Sequence, residues 1–300
     1  MKILVTGSSG MLGTELVEVL RGHFDVFGLT RHPASSDQIN TIILDLTNRQ
    51  ALENKLLEIK PDIVIHAAAF TKVDLCEDEK WAEEARRQNT TVVENLIDIC
   101  NATNSFLIFF STDYVFSGKK KEPYLESDLI EPINYYGQTK AWAEKSIQER
   151  SKRFIIFRIT WLYGKRGQHF PAAILRQARE KKELSIVNDQ WGRPTWTRDV
   201  AEVILKLLTS RKKLLDQYNK EIFHIGNSGT INWSGFARQI LDQSGFANVK
   251  IKEISAEELK RPAARPKNSV LNLDRARQLL EIEMRSWQDA VNEFLKEKAE

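Results

Sequence analysis

The chain has 300 residues, of which 42% are hydrophobic and 28% charged, with a net charge of +3 and a pI near 8.7. That is apolar material for a sizeable core in about two domains, or one large α/β unit with a smaller cap. No dense Lys/Arg cluster with interleaved aromatics is present, which argues against a nucleic-acid partner, and no apolar run approaches the roughly 20 residues that span a membrane.

The first ten residues, MKILVTGSSG, hold too short an apolar run for a signal peptide and begin a fold at once. KILVT reads as a buried strand, and Leu12, Leu16, Val19 and Leu20 follow at helical spacing. FDVFGL is a second strand and TIIL a third. Residues 48–60 are helical, with Leu52, Leu56, Leu57 and Ile59 as apolar positions. DIVIHAAA is a fourth strand, and one long helix is expected from Lys80 to Ala102. FLIFFST is a fifth strand, residues 136–150 another helix and RFIIFRIT a sixth strand. Short apolar strands alternating with helices predict the α/β class: a doubly wound parallel sheet of Rossmann type, covered on both faces.

After about residue 160 the rhythm breaks, as Gly, Pro and Trp punctuate TWLYGKRGQHFP and NDQWGRPTW. Helical patterns return near 198–210, 232–244 and 286–297. The expected organisation is a dinucleotide-binding domain over 1–160 with a return at about 195–225, and a smaller, interleaved substrate lobe over 161–194 and 226–300. GKKKEP at 118–123 is the longest basic run and reads as a solvated loop, although a mildly basic protein suits an anionic small molecule. Cys76 and Cys100 lack metal-ligand spacing, so reduced thiols in a cytoplasmic protein and no metal site are expected.

Residues 6–13, TGSSGMLG, place Gly7, Gly10 and Gly13 between the first strand and the first helix. A tight turn needs the first glycine, approach of a pyrophosphate the second, and helix-to-strand packing the third; the helix N-terminus then meets the phosphates. A lone glycine pattern is weak, but this one opens a strand–helix–strand series, which points to a dinucleotide. The second strand ends in GLTRH, where NAD sites place an acid on the ribose 2′-hydroxyl. Arg31 stands there instead, which favours the 2′-phosphate of NADPH, with NADH also possible. Asp45 is placed to meet the adenine. His66, after the fourth strand, reads better as a satisfied structural histidine.

NYYGQTKA, residues 134–141, puts Tyr136 four residues before Lys140, hence on one helical face, whereas Tyr135 points elsewhere. Y-x-x-x-K alone means little. With TGSSGMLG upstream and STDYVF at 111–116, the set resembles the extended short-chain dehydrogenase/reductase family. HAAAFTKVDLCE, YGQTKAWAEK, RITWLYG, DQWGRPT and RPKNS narrow the resemblance to its dTDP-4-dehydrorhamnose reductase branch, over nearly the whole chain.

The resemblance implies hydride transfer from NADPH or NADH to the 4-keto carbon of dTDP-4-dehydro-L-rhamnose. It makes Thr112, Tyr136 and Lys140 a catalytic triad, with Lys140 favouring the tyrosinate and holding the nicotinamide ribose. The implied cofactor wall comprises Gly7, Gly10, Met11, Leu12, Gly13, Arg31, Asp45, Leu46, Ala67, Ala68 and Ala69 together with Tyr136 and Lys140. Tyr114 and Trp161 match positions lining the sugar pocket, and Asn89 matches an asparagine that shapes the site. The partner is a nucleotide sugar, and the protein a monomer or homodimer. Arg193, Arg261, Arg265 and Lys267 are candidates for gripping its diphosphate.

Related dehydratases follow the threonine with Asp-Glu, whereas Thr112 is followed by Asp113 and Tyr114, which argues against dehydration. The alternatives are another nucleotide-sugar reductase or epimerase, or a non-enzymatic partner subunit like the regulatory subunit of methionine adenosyltransferase.

Overall fold

A computed structural model describes residues 1–31, 40–210 and 217–297. The first half runs β1 (Lys2–Thr6), α1 (Met11–Leu20), β2 (Asp25–Thr30), β3 (Thr41–Ile43), α2 (Arg49–Ile59), β4 (Ile63–His66), α3 (Glu79–Arg86), α4 (Val92–Thr103), β5 (Phe106–Thr112), α5 (Tyr135–Arg150) and β6 (Phe154–Ile159). Then come β7 (Leu162–Tyr163), α6 (Phe170–Glu180), β8 (Glu183–Val187), β9 (Trp191–Gly192), β10 (Thr195–Trp196), α7 (Thr197–Ser210) and β11 (Glu221–His224). The chain continues through β12 (Ile231–Asn232), α8 (Trp233–Gln243), β13 (Lys250–Ile254), α9 (Asp274–Leu280) and α10 (Trp287–Glu297).

Seven strands form one parallel sheet in the order β11-β6-β5-β4-β1-β2-β3. The doubly wound sheet read from the sequence is therefore present. β4, β5 and β6 are buried at every position because helices cover both faces, and this is why they read as continuous apolar runs. One face packs Leu12, Leu16 and Leu20 of α1 with Val200, Ile204 and Leu207 of α7. The other packs Leu52 and Leu56 of α2, Val93 and Ile97 of α4, and Ile147 of α5. The strand order reverses direction between β1 and β4, and such a switch point leaves a crevice at the strands' carboxyl ends.

The long helix expected over residues 80–102 is observed as one continuous helical run over Glu79–Thr103, with a π-type turn in its middle. α3 and α4 are joined by that wide turn, over Arg87–Thr91. Its extra residue shifts the helical register and buries Asn89 and Thr90, so Asn89 is not a solvated helix residue.

Beyond β6, the pair β8–β13 with α6, α8 and α10 encloses a separate aromatic cluster that includes Tyr163, Trp196, Phe236, Trp287 and Phe294. The chain also returns to the sheet: β11 extends it beside β6. His32, in GLTRH, lies outside the described residues, as do residues 211–216 and 298–300 of the expected return and substrate lobe. Among the described residues no helix is long and apolar enough to cross a membrane.

Candidate active site

The glycine loop lies against Ala68, just after β4, with no room for a Cβ at Gly7 or Gly13. Gly7 has φ +67°, and a Cβ there would sit 2.7 Å from Ala68 Cα. A Cβ on Gly13 would come within 2.1 Å of the Gly7 carbonyl oxygen. Gly13 thus sits behind the loop as a packing residue, while Gly7 and Gly10 face a cavity of about 570 Å³. Gly10 caps α1 with no side-chain bond, so the first-turn amides keep their capacity for an anion.

Met11, Leu12, Arg31, Asp45, Leu46, Ala67, Ala68 and Ala69 line the same cavity. Burial acts to raise the Asp45 carboxyl, but hydrogen bonds from the Thr47 amide and hydroxyl at 2.9 and 2.8 Å, with the Arg31 charge, hold it below its ordinary value. A Cβ-free cradle, free helix-terminal amides and a cation at the end of β2 fit a dinucleotide phosphate.

Thr112 ends β5 on the opposite wall. Tyr136 reaches the cavity from the first turn of α5, whose start is fixed by Asn134. The Asn134 side chain accepts from the Gly137 amide at 2.7 Å and donates to the Ala264 carbonyl at 2.8 Å. Glu77 also accepts from the Tyr135 amide. The two tyrosines diverge as their spacing predicts. Tyr136 lines the cavity beside Tyr114, with ring centroids 6.0 Å apart, while Tyr135 packs edge-on against Trp142.

Lys140 lies on the face of α5 that Tyr136 shares, but beneath the wall rather than in it. It is buried, its ammonium donates to the Phe110 carbonyl at 2.7 Å, and it sits 4.0 Å from the centroid of the Phe109 ring. Burial pulls it down to about 7, opposed by Glu144 one turn along the helix. The expectation that Lys140 eases ionisation of Tyr136 is not met in this arrangement. Burial first, then the Asp113 charge, push the phenol above its ordinary value, partly offset by a hydrogen bond with Thr112. The phenol is therefore protonated and holds a proton to give, although burial makes it a weaker acid than a free tyrosine.

His66 is only half satisfied: its Nδ1 is 2.8 Å from Thr6 Oγ1, but its buried Nε2 has no hydrogen-bond partner, and burial with the Lys140 charge lowers it to about 3, leaving it neutral. Asn89 donates to the Phe70 carbonyl at 3.1 Å and to Thr139 Oγ1 at 3.0 Å, and accepts from the Phe70 amide at 2.7 Å. It ties the loop after β4 to the helix carrying Tyr136.

Sequence reasoning noted Asp113 only as a marker against dehydration. It is fully buried beside the triad, accepting from Thr112 Oγ1 and Thr160 Oγ1, both at 2.9 Å. Burial raises it to about 6. Thr112 therefore gives its one proton to Asp113 in this state. STD was readable in the sequence, but that carboxylate's burial was not. Trp233 was also missed; it stacks on Trp161 with centroids 3.4 Å apart, and both line the cavity. Trp161 holds φ +47°, a left-handed conformation that costs about 1 kcal/mol or more in a non-glycine residue. Among the diphosphate candidates, Arg193 is committed elsewhere, donating to the Leu271 and Gly229 carbonyls. Arg265 makes a two-pronged pair with Asp74.

The family model described as RmlD substrate binding domain matches residues 1–300. A dTDP-4-dehydrorhamnose reductase of Burkholderia thailandensis is 34% identical, over 97% of each chain. The crystal structure of a dTDP-4-dehydrorhamnose reductase from Clostridium acetobutylicum is similar with a TM-score of 0.89 and 33% identity, covering 100% of both chains. That of the Bacillus anthracis reductase, in complex with NADP, has a TM-score of 0.87 and 32% identity over 99% of each chain.

Proposed function

Because the chain belongs to the RmlD substrate-binding-domain family over its whole length, we propose that the cavity between β1, β4 and β5 reduces a nucleotide sugar. The protein is an NADPH-dependent oxidoreductase that converts dTDP-4-dehydro-L-rhamnose to dTDP-L-rhamnose. The observation that carries the reading is that one cavity joins a Cβ-free phosphate cradle to a Thr112–Tyr136 pair.

NADPH, when bound, supplies the hydride; the protein supplies position and a proton. Gly7, Gly10, Met11 and Leu12 take the pyrophosphate, Arg31 the 2′-phosphate, Asp45 and Leu46 the adenosine end, and Ala67, Ala68 and Ala69 the wall towards the nicotinamide. Lys140 holds the nicotinamide ribose. Reduction of the 4-carbonyl leaves negative charge on the sugar oxygen, and Tyr136 gives it a proton. Thr112 orients the phenol and stands beside the same oxygen. Tyr114 and the Trp161–Trp233 stack wall the sugar. Every one of these residues comes from one chain, so a monomer or a homodimer serves equally, and the buried reduced Cys76 and Cys100 suit a cytoplasmic enzyme.

The test is to mix purified protein, NADPH and dTDP-4-dehydro-L-rhamnose, follow NADPH absorbance and identify the sugar by mass spectrometry. Stoichiometric oxidation with dTDP-L-rhamnose formed supports the reading. NADPH left unoxidised by a folded protein overturns it.

A further inference from the structure

Two charged side chains that line no part of the reaction cavity are buried together, one turn beyond Lys140. Arg158 on β6 and Glu144 on α5 have side chains 1% and 0% exposed. The Arg158 Nε donates to both Glu144 carboxylate oxygens, at 3.0 and 3.2 Å, and its Nη2 donates to Oε2 at 2.7 Å. The guanidinium is also fixed on its other edge. Nη1 donates to the Glu126 carbonyl at 3.2 Å, and the centroid of the Phe116 ring lies 5.0 Å from the guanidinium carbon. His224 Nε2 on β11 is 3.3 Å from Nη1; since arginine only donates, that nitrogen is the acceptor, and burial with the Arg158 charge keeps the histidine neutral.

Such a pair is a poor device for stability. Taking two ions out of water costs more than their attraction reliably returns, and apolar residues of similar volume often hold a core as well or better. The pair's place in the fold gives it another role. Glu144 follows Lys140 by four residues, so the two share a face of α5 about 6 Å apart along its axis.

Little else that is charged faces the lysine. β4 contributes His66, which is neutral, and β5 the Phe110 carbonyl and the Phe109 ring. The π-type turn contributes Thr90, whose hydroxyl is spent on the Thr139 carbonyl. On α5 itself Tyr136 is held protonated, and the Asp113 charge bears on that phenol. Among the described residues Glu144 is the one negative charge acting on the ammonium. Because Arg158 occupies both of its oxygens, the carboxylate is kept from closing onto Lys140 as a direct ion pair. It attracts the cation through space while leaving the ammonium's donors for the Phe110 carbonyl and for a ligand.

We propose that Glu144, held in place by Arg158, is a positioning residue for the reduction: its fixed charge keeps Lys140 cationic without drawing it away from the nicotinamide ribose. The inference rests on the reading of Lys140 given above.

The experiment follows two quantities in the full-length protein across the neutral pH range. One is the titration of the Lys140 ammonium by nitrogen NMR of lysine-labelled protein, with Lys140→Met identifying its signal. The other is the dissociation constant of NADPH by calorimetry. Glu144→Gln keeps the shape and removes the charge. Glu144→Gln/Arg158→Met leaves no buried ion alone, should the single variant fail to fold. Glu144→Asp keeps the charge, and Glu149→Gln, exposed on the same helix, is the control.

In the parent the ammonium loses its proton, and NADPH binds more weakly, as pH rises through about 7. In both charge-removing variants that step should fall by about one unit or more, the scale of one nearby opposite charge. Their NADPH affinity should then be about fivefold weaker at neutral pH and match the parent's in acid. Glu144→Asp and Glu149→Gln should keep the parent's step. A side chain that merely braces α5 would weaken NADPH by one factor at every pH and leave the step in place. That result, with an active parent, overturns the inference and leaves the reductase reading standing, as does a step moved equally by Glu149→Gln. A step that moves as expected by NMR, in a protein that neither binds NADPH nor reduces the sugar, keeps the electrostatic role and overturns the reductase reading.

Discussion

The Lys140 ammonium donates to the Phe110 carbonyl oxygen rather than lying in the cavity wall. The lysine is thus buried with its charge met by one carbonyl dipole and a ring face, and by Glu144 on the next turn.

Protonation of that ammonium should be visible near neutrality. Its value in the free protein is about 7, so the cation is present below that pH and is lost above it. The NADPH dissociation constant is expected to weaken as pH rises through about 7 in the parent, and to lose that step in Lys140→Met. Stability moves by linkage: the unfolded lysine holds its proton up to 10.5, so the folded state is penalised most below about 7. Lys140→Met should therefore raise the melting temperature most in acid, with the gain shrinking towards high pH. Identical pH profiles of binding and melting in parent and variant would remove this account.

Tyr136 and Tyr135 should behave oppositely. Tyr136 lines the cavity with Thr112 and packs edge-on against Tyr114, whereas Tyr135 packs on Trp142. Tyr136→Phe is expected to lose about 10²–10⁴ in kcat while still binding NADPH. Tyr135→Phe should stay within about tenfold of the parent, the scale of one modest hydrogen bond. Steady-state kinetics showing Tyr135→Phe dead and Tyr136→Phe active would reverse the assignment.

Arg31 is exposed at the end of β2, in the same cavity as Asp45. Arg31→Ala should raise the KM for NADPH by about tenfold, a lost charge-assisted contact, and leave that for NADH nearly untouched. An equal loss for both cofactors would show that Arg31 does not read the 2′-phosphate.

Asn89 makes three hydrogen bonds in a buried turn, linking Phe70 to Thr139. Asn89→Ala leaves the Phe70 amide and carbonyl without those partners, which should cost about 1–3 kcal/mol in denaturant unfolding. Because Thr139 adjoins Lys140, kcat should fall as well. A variant as stable as the parent would mean that water replaces the side chain at no cost.

Residues whose role depends on spacing along the chain were legible in the sequence. Gly7 and Gly13 marked a tight strand-to-helix turn because that turn leaves no room for a Cβ at their offsets. Tyr136 could be separated from Tyr135 because helical geometry settles which side chain shares a face with Lys140. The parallel sheet followed from strands apolar at every position, since helices on both faces leave none of them wet.

What the chain's order could not convey was decided by packing between distant segments. The π-type turn inside the long helix had no signal in the sequence; it buries Asn89, which bonds Thr139 on α5, some 50 residues on. Asp113 became a buried carboxylate only when β5, Thr160 and the C-terminal Ser269 closed around it. The lysine run keeps Lys119 and Lys121 exposed, as read, but its backbone is tied down by Asn268, about 150 residues on. In each case the deciding contact joins residues far apart in sequence. Burial, and with it the cost or value of a charge, is a property of the closed fold and has no local signature.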